Sequence, residues 1–325
     1  MRGRVIGTGS AVPDKILTNH DLVKMVDTTD EWITSRTGIK ERRIAASDEY
    51  TSTFATKAAL KALAMAGVTP DQLDMIIVAT VTPDFPFPST ACILQNNLKA
   101  VNATAFDISA ACSGFIYGLA TVDKFIRTGT VKKALVVGVE VLSRIVDWSD
   151  RNTCLLFGDA AGAVVIEAED GDSGILESFT RSDGSFWELL YQPAPGNRNP
   201  ADQKVIDERL IYLRMQGNEV FKLAVRAMEE AANKVLEASG HSSADIDLFI
   251  PHQANRRIID AIGKRLNLPA EKVYVNIDRF GNTSAASIPL ALDEANRNGL
   301  LAPGNLLLLD AFGGGLTWGA VLIRW

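Results

Sequence analysis

No run of apolar residues approaches the roughly 20 that a membrane-spanning helix needs, so no membrane partner is expected. The N-terminal "MRGRVIGTGSAVPDK" breaks at Gly and Pro before a signal-peptide core can form, and a cytoplasmic protein is the expectation. Cysteine is scarce: 3 residues in 325, none in a C-x-x-C pair. That argues against a disulfide framework and a cysteine-rich zinc site, and no metal or cofactor is expected. A net charge of -6 gives no support to nucleic-acid binding, so any anionic partner must meet a local basic patch. Neither G-x-x-x-x-G-K-S/T nor a strand-linked G-x-G-x-x-G occurs, and nucleotide hydrolysis and dinucleotide binding lack support.

What remains is a globular composition, 47% hydrophobic and 22% charged, in a chain long enough for a large core. Helix-like and strand-like segments alternate, which points to an α/β protein. The chain also resembles itself. "ALKALAMAGVTPDQLDMIIVAT" (59–80) and "AANKVLEASGHSSADIDLFIPH" (231–252) share an Ala-rich helix, a Gly, a polar loop, an Asp and an apolar strand. Asp74 then matches Asp247 and Gly67 matches Gly240, both at an offset of 173 residues (74 to 247, 67 to 240). "KALVVGVE" (133–140) pairs with "NLLLLDAF" (305–312), and "AGAVVIE" (161–167) with "WGAVLIR" (318–324). Two similar halves are expected, 1–170 and 217–325, joined by a Gly-, Pro- and Asp-rich insertion at 171–216. Strands as continuously apolar as "MIIVAT" and "LLLLD" are buried on both faces, so helices should cover the sheets.

Four stretches invite a chemical reading. In "FDISAACSGFIYGLA", Cys112 falls where a strand gives way to a helix, whose N-terminal N–H groups favour the reactive thiolate. The plain alternative is a buried, inert cysteine. Cys92 is expected on the inner face of a helix in "STACILQNNL" and Cys154 in a strand "NTCLLFGD", both structural. Of the 3 histidines, His20 and His241 sit beside capping residues, whereas His252 in "PHQAN" follows an apolar strand and precedes a helix, where α/β sheets usually carry their sites. Asn282 lies in a "GNTS" turn, common enough to be only a turn former. Three glycines at 313–315 are either a flexible loop or backbone brought close to an oxyanion.

In order along the chain, "DTTDEWITSRTGIKERR", "DISAACSGF", "PHQAN", "GNTSAAS" and "GGGLTWGAVLIR" resemble the thiolase-superfamily condensing enzymes. The match is closest to the β-ketoacyl-acyl-carrier-protein synthase III family, and it covers essentially the whole chain. The resemblance implies duplicated α/β halves in five αβαβα layers. It implies a decarboxylative Claisen condensation of an acyl-coenzyme A primer, acetyl by expectation, with malonyl-acyl carrier protein. Cys112 becomes the acyl-accepting nucleophile beside His252 and Asn282, with the N–H groups of Cys112 and Gly314 as oxyanion hole. Thr28, Trp32, Arg36, Arg151, Gly217, Phe221 and Asn255 are implied for coenzyme A. Leu142, Phe157, Leu189 and Phe312 are implied around the acyl and malonyl groups, and Phe87 in a partner subunit's pocket, hence a homodimer. Arg257 and Lys264, seven apart on the helix after His252, with Arg256, Arg265 and Lys222 around them, read as a docking face for an acidic carrier protein. A solvated basic face is the alternative. The chain departs from the family pattern with Ala160 where Gly is usual, which would tighten a turn, and with a long 194–210 segment that would border the acyl pocket.

Rival readings differ in what they leave unexplained. A Cys-His-Asn hydrolase would account for three residues but not for the duplication or the glycine loop. A noncatalytic acyl-binding protein would not need the Cys-His-Asn set. A condensing enzyme of secondary metabolism could share every catalytic residue, whereas thiolase would bring a second cysteine that has no counterpart near "AFGGGLTWG".

Overall fold

The computed structural model describes residues 1–325. Sheet one contains β1 (Arg2–Ala11), β2 (Met75–Ala79), β3 (Thr104–Ile108), β4 (Lys133–Val141) and β5 (Asp159–Glu169) in the order β1-β5-β4-β2-β3. Sheet two contains β6 (Gly174–Ser182), β7 (Leu248–Pro251), β8 (Leu306–Gly313) and β9 (Thr317–Arg324) in the order β7-β8-β9-β6. The two share a plan. β2 runs parallel to β4 as β7 does to β8, and antiparallel strands continue from β4 to β5 to β1 and from β8 to β9 to β6. The counterpart of β3 is reduced to one parallel bridge between Phe249 and Val273.

The main helices are α1 (Asp30–Thr37), α2 (Thr51–Ala66), α3 (Thr90–Leu98), α4 (Gly114–Arg127), α5 (Gly217–Ser239), α6 (Arg256–Arg265) and α7 (Ser287–Arg297). Adjacent strand residues serve different layers. Ile77, Val136, Ile250 and Leu309 face the central layer with Leu119 of α4 and Leu292 of α7. Their neighbours Ile76 and Val137 face α2 and α3, while Phe249 and Leu308 face α5 and α6. This produces five layers, αβαβα, and explains why the strands read as unbroken apolar runs. Each fully buried Ile, Leu or Phe contributes about 1.5–3 kcal/mol. No helix is long and apolar enough to cross a membrane.

The repeat signals have the same local jobs in both halves. Gly67 and Gly240 end α2 and α5 in the left-handed conformation, at φ 65° and 72°. Asp74 accepts from Lys132 N at 2.8 Å and Lys133 N at 2.9 Å, and Asp247 accepts from Leu306 N at 2.7 Å. Each carboxylate ties the start of one strand to the start of its parallel neighbour.

Several expectations need correction. β6 lies within 171–216 but is an edge strand of sheet two, so the stretch without a counterpart begins after Ser182. Cys92 is exposed, because α3 turns Ala91, Leu94 and Leu98 inward. Cys154 is buried in a turn, not a strand. Ala160 is in no turn; it lies within β5 opposite Glu140.

Candidate active site

The C-terminal edges of both sheets meet where three chain crossings converge. After β3 the backbone makes a 3₁₀ turn at Ala111–Ser113 and enters α4, placing Cys112 between strand and helix as the sequence predicts. Thr317 and Ser113 fasten that turn to β9: Thr317 Oγ1 donates to Ala110 O and Ser113 Oγ to Thr317 O, both at 2.9 Å. Gly313 presses against it, since a Cβ there would lie 2.7 Å from Cys112 N. His252 follows β7 directly, and Asn282 precedes the second 3₁₀ turn, Ser284–Ala286, that opens α7.

Cys112, His252, Asn282 and Phe312 line the buried end of a cavity of about 710 Å³ whose exposed end carries Trp32, Arg36, Gly217, Phe221, Asn255 and Arg257. A second cavity of about 310 Å³ is lined by Cys112, Leu142, Phe157, Leu190, Ser284 and Gly314, among others. Cys112 borders both, so its thiol stands at the junction of a long channel and a short, mostly apolar pocket.

Hydrogen bonding decides what the two polar partners can do. Asn282 Oδ1 accepts from Ser284 N at 2.9 Å, which leaves the Nδ2 donors for the cavity. His252 Nδ1 lies 2.7 Å from Ser287 Oγ, and the same oxygen receives Gln253 N at 3.4 Å. We therefore assign the Ser287 proton to His252 Nδ1, which places the ring proton on Nε2. Burial pushes His252 down to about 3, so the imidazole is neutral. The site presents two neutral N–H donors to one space.

The thiol behaves differently from expectation. The N-terminus of α4 favours a thiolate, but burial pushes Cys112 up to about 12 against a weaker downward pull from the Ser284 hydroxyl. Burial thus outweighs the helix N-terminus and favours the protonated thiol.

Other predicted site residues fall into three groups. Arg151 stacks over Trp32 at 4.8 Å and Arg36 at 5.9 Å, forming a cationic, aromatic rim; Arg151 and Thr28 do not line the channel. Phe312 faces the channel with His252, not the short pocket. Leu189 is displaced: at the junction of a 3₁₀ turn and the short strand Leu190–Tyr191 it packs against the α5 cluster, and Leu190 lines the pocket instead. No residue of 194–210 borders that pocket, which is closed by Gln192 and Leu213 from either side of it. Phe87 is 86% exposed and lines neither cavity.

On the basic face, Lys222 pairs with Glu219 at 2.8 Å, Arg256 with Asp260 at 2.7 Å, and Arg265 with Glu229. Arg257 and Lys264 form no ion pair, and Arg257 lies 5.3 Å over Phe221. Residues the motifs did not single out are Ser284, Ser287 and Gln253, although all lie inside quoted motifs. Glu140, the one charge in "ALVVGVEVL", was the available signal for a fourth.

The family model for 3-oxoacyl-[acyl-carrier-protein] synthase III matches residues 106–184, and the model for its C-terminal region matches 236–325. The β-ketoacyl-[acyl-carrier-protein] synthase III of Caldanaerobacter subterraneus subsp. tengcongensis is 56% identical over 321 residues, 99% of this chain and 97% of the relative. That of Xanthomonas campestris pv. campestris is 55% identical over 322 residues, 99% and 98%. The crystal structure of 3-oxoacyl-[acyl-carrier-protein] synthase III from Aquifex aeolicus VF5 superposes with a TM-score of 0.92 at 54% identity, covering 99% of this chain and 100% of that one. Sequence and architecture agree from end to end, and the chain belongs to the β-ketoacyl-acyl-carrier-protein synthase III family of condensing enzymes, which initiate fatty acid synthesis.

Proposed function

We propose that Cys112 takes the acyl group of an acyl-coenzyme A primer, acetyl in the first instance, and passes it to malonyl-acyl carrier protein. The reading rests on the thiol at the junction of the two cavities with two N–H donors beside it. Coenzyme A enters along the channel past Trp32 and Arg151, and the acyl chain extends into the short pocket. Cys112 forms a thioester, which keeps a good leaving group for the second step. Malonyl-acyl carrier protein then occupies the channel. Loss of carbon dioxide places negative charge on its thioester oxygen, within the reach of His252 Nε2 and Asn282 Nδ2. One such donor is worth about 3 kcal/mol of barrier. The carbanion attacks the acyl-cysteine, whose oxyanion is held by the Cys112 and Gly314 N–H groups, and collapse frees Cys112 with the β-ketoacyl product.

Arg257 at the channel mouth and Lys264 two turns further along α6, neither in an ion pair, supply the positive face for an acidic carrier protein. Two features support a homodimer: Phe87 is exposed, and β3 is an unpaired edge strand whose Phe106 and Ile108 are only partly covered. The same reading places the reaction in the cytoplasm. Intact mass after incubation with acyl-coenzymes A from acetyl to branched chains, with digestion to locate the adduct, tests the mechanism and ranks the primers. An adduct on Cys112 that malonyl-acyl carrier protein discharges is the expected result. An adduct elsewhere, or none, overturns it.

A further inference from the structure

The assignment of the Nε2 proton to His252 leaves a question that rests on the proposed acyl-Cys112 chemistry: which group accepts the proton of the buried Cys112 thiol? His252 is a donor toward the cavity, with Nδ1 already engaged by Ser287. Ser284 is placed otherwise. Its side chain and Cys112 border the same short pocket, and Ser284 Oγ donates to Glu140 Oε1 at 3.1 Å, which leaves the oxygen lone pairs to face Cys112. Glu140 is fully buried near the end of β4 and pairs with no cation. Its carboxylate is held by Val81 N at 3.1 Å, Thr82 Oγ1 at 2.6 Å and Thr80 Oγ1 at 3.2 Å. A buried carboxylate costs several kcal/mol unless it is satisfied, and a purely structural role could be served by an apolar residue in this apolar strand.

We propose that Ser284 and Glu140 form the route by which Cys112 loses its proton. As the Cys112 sulfur bonds to the thioester carbonyl carbon, the thiol proton passes to Ser284 Oγ and the Ser284 hydroxyl proton passes to Glu140 Oε1. Collapse of the tetrahedral adduct breaks the bond to the coenzyme A sulfur. The coenzyme A thiolate leaves along the channel and takes its proton from solvent, and Glu140 keeps the relayed proton until condensation frees Cys112 as a thiolate, when the reverse shuttle returns it. Burial raises Glu140 to about 7 while its four donors pull the other way, so the carboxylate can both accept and release a proton near neutrality. In this relay Ser284 is the group that meets the sulfur; Glu140 acts through it and is a positioning residue.

Ser284 N also holds Asn282 Oδ1, so a merely structural role for this network would damage decarboxylation as well. The two half-reactions therefore separate the readings. In Glu140→Gln, single-turnover acylation of Cys112 by acetyl-coenzyme A, and its alkylation by iodoacetamide, are expected to slow by at least tenfold. Malonyl decarboxylation is expected to stay within about threefold. Ser284→Ala should reproduce the acylation defect with decarboxylation likewise within about threefold. Acylation and alkylation at normal rates in Glu140→Gln, or equal losses in both half-reactions, overturn the relay. Failure of the unsubstituted protein to acylate Cys112 at all would instead overturn the condensing mechanism beneath it.

Discussion

Residues 111–113 and 284–286, 173 positions apart, make the same single 3₁₀ turn before the same kind of helix. Ala111 and Ser284 open these turns at φ 45° and 49°, a left-handed conformation that costs a non-glycine residue about 1–3 kcal/mol. Each turn is held by a strand end from the other half: Gly313 of β8 against Cys112, and Glu140 of β4 against Ser284. Yet the side chains differ where chemistry is needed. Cys112 corresponds to Ala285. Ala79 and Gly114 correspond to His252 and Ser287, and where the second pair shares a 2.7 Å hydrogen bond, a Cβ at Gly114 would come within 2.9 Å of the Ala79 Cβ. The two cradles are alike in backbone and differ in a handful of side chains, and in the proposed mechanism these divide the labour: nucleophile from one half, proton donors from the other.

The largest test of that division is Cys112→Ser. A hydroxyl is a weaker acid and nucleophile than a thiol and forms an ester with a poorer leaving group, so both acyl transfer and condensation should fall below detection, while Cys92→Ser and Cys154→Ser remain within a few-fold of normal turnover. Condensation at a normal rate in Cys112→Ser would refute the assignment of the nucleophile to the first half. Next come the donors of the second half. His252→Ala and Asn282→Ala should still form acyl-enzyme, seen by intact mass, but lose malonyl decarboxylation by about 10² or more. Equal severe loss of acylation would show His252 acting as the base of Cys112, and the halves would not be separable.

A smaller effect is expected from Ser287→Ala, which leaves His252 Nδ1 without its partner, as the first half has none at Gly114. Decarboxylation should drop about tenfold, in line with one hydrogen bond of about 1–1.5 kcal/mol, with acylation unchanged. An unchanged decarboxylation rate would remove Ser287 from the site. The smallest effect concerns the surface of the second half, where Arg257 and Lys264 stand without an ion-pair partner beside the paired Lys222, Arg256 and Arg265. Arg257→Glu should raise the apparent KM for malonyl-acyl carrier protein severalfold, less at high salt because exposed charges are screened beyond about 8 Å at physiological ionic strength. Unaltered carrier-protein kinetics in Arg257→Glu at low salt would place docking elsewhere.

Much of the likeness between the halves is legible in the amino-acid sequence. The Gly and Asp that punctuate each repeat act on backbone a few residues away or on the adjacent strand, and the motifs around Cys112, His252 and Asn282 each span one strand end, one turn and one helix start. Local chemistry of that kind is written in contiguous residues. The rotation of α3 was not legible, because "STACILQNNL" offers two apolar stripes and only the packing surface of α2 and β2 chose the one that leaves Cys92 outside. Leu190 replaced Leu189 in the pocket for a related reason: at the end of a 3₁₀ turn a single residue's shift reverses which side faces inward.

The sequence by itself determined that the chain is a duplicated α/β protein, since periodicity and turn residues are properties of short stretches, and its motif resemblance nominated Cys112, His252 and Asn282. Only the tertiary structure decided the state and partners of those residues. Glu140 meets Thr80 across 60 positions and Ser284 across 144. The protonation of Cys112 and His252 depends on how completely both are buried, a quantity set by the closing of two sheets over one junction, because desolvation is a sum over everything packed around a charge.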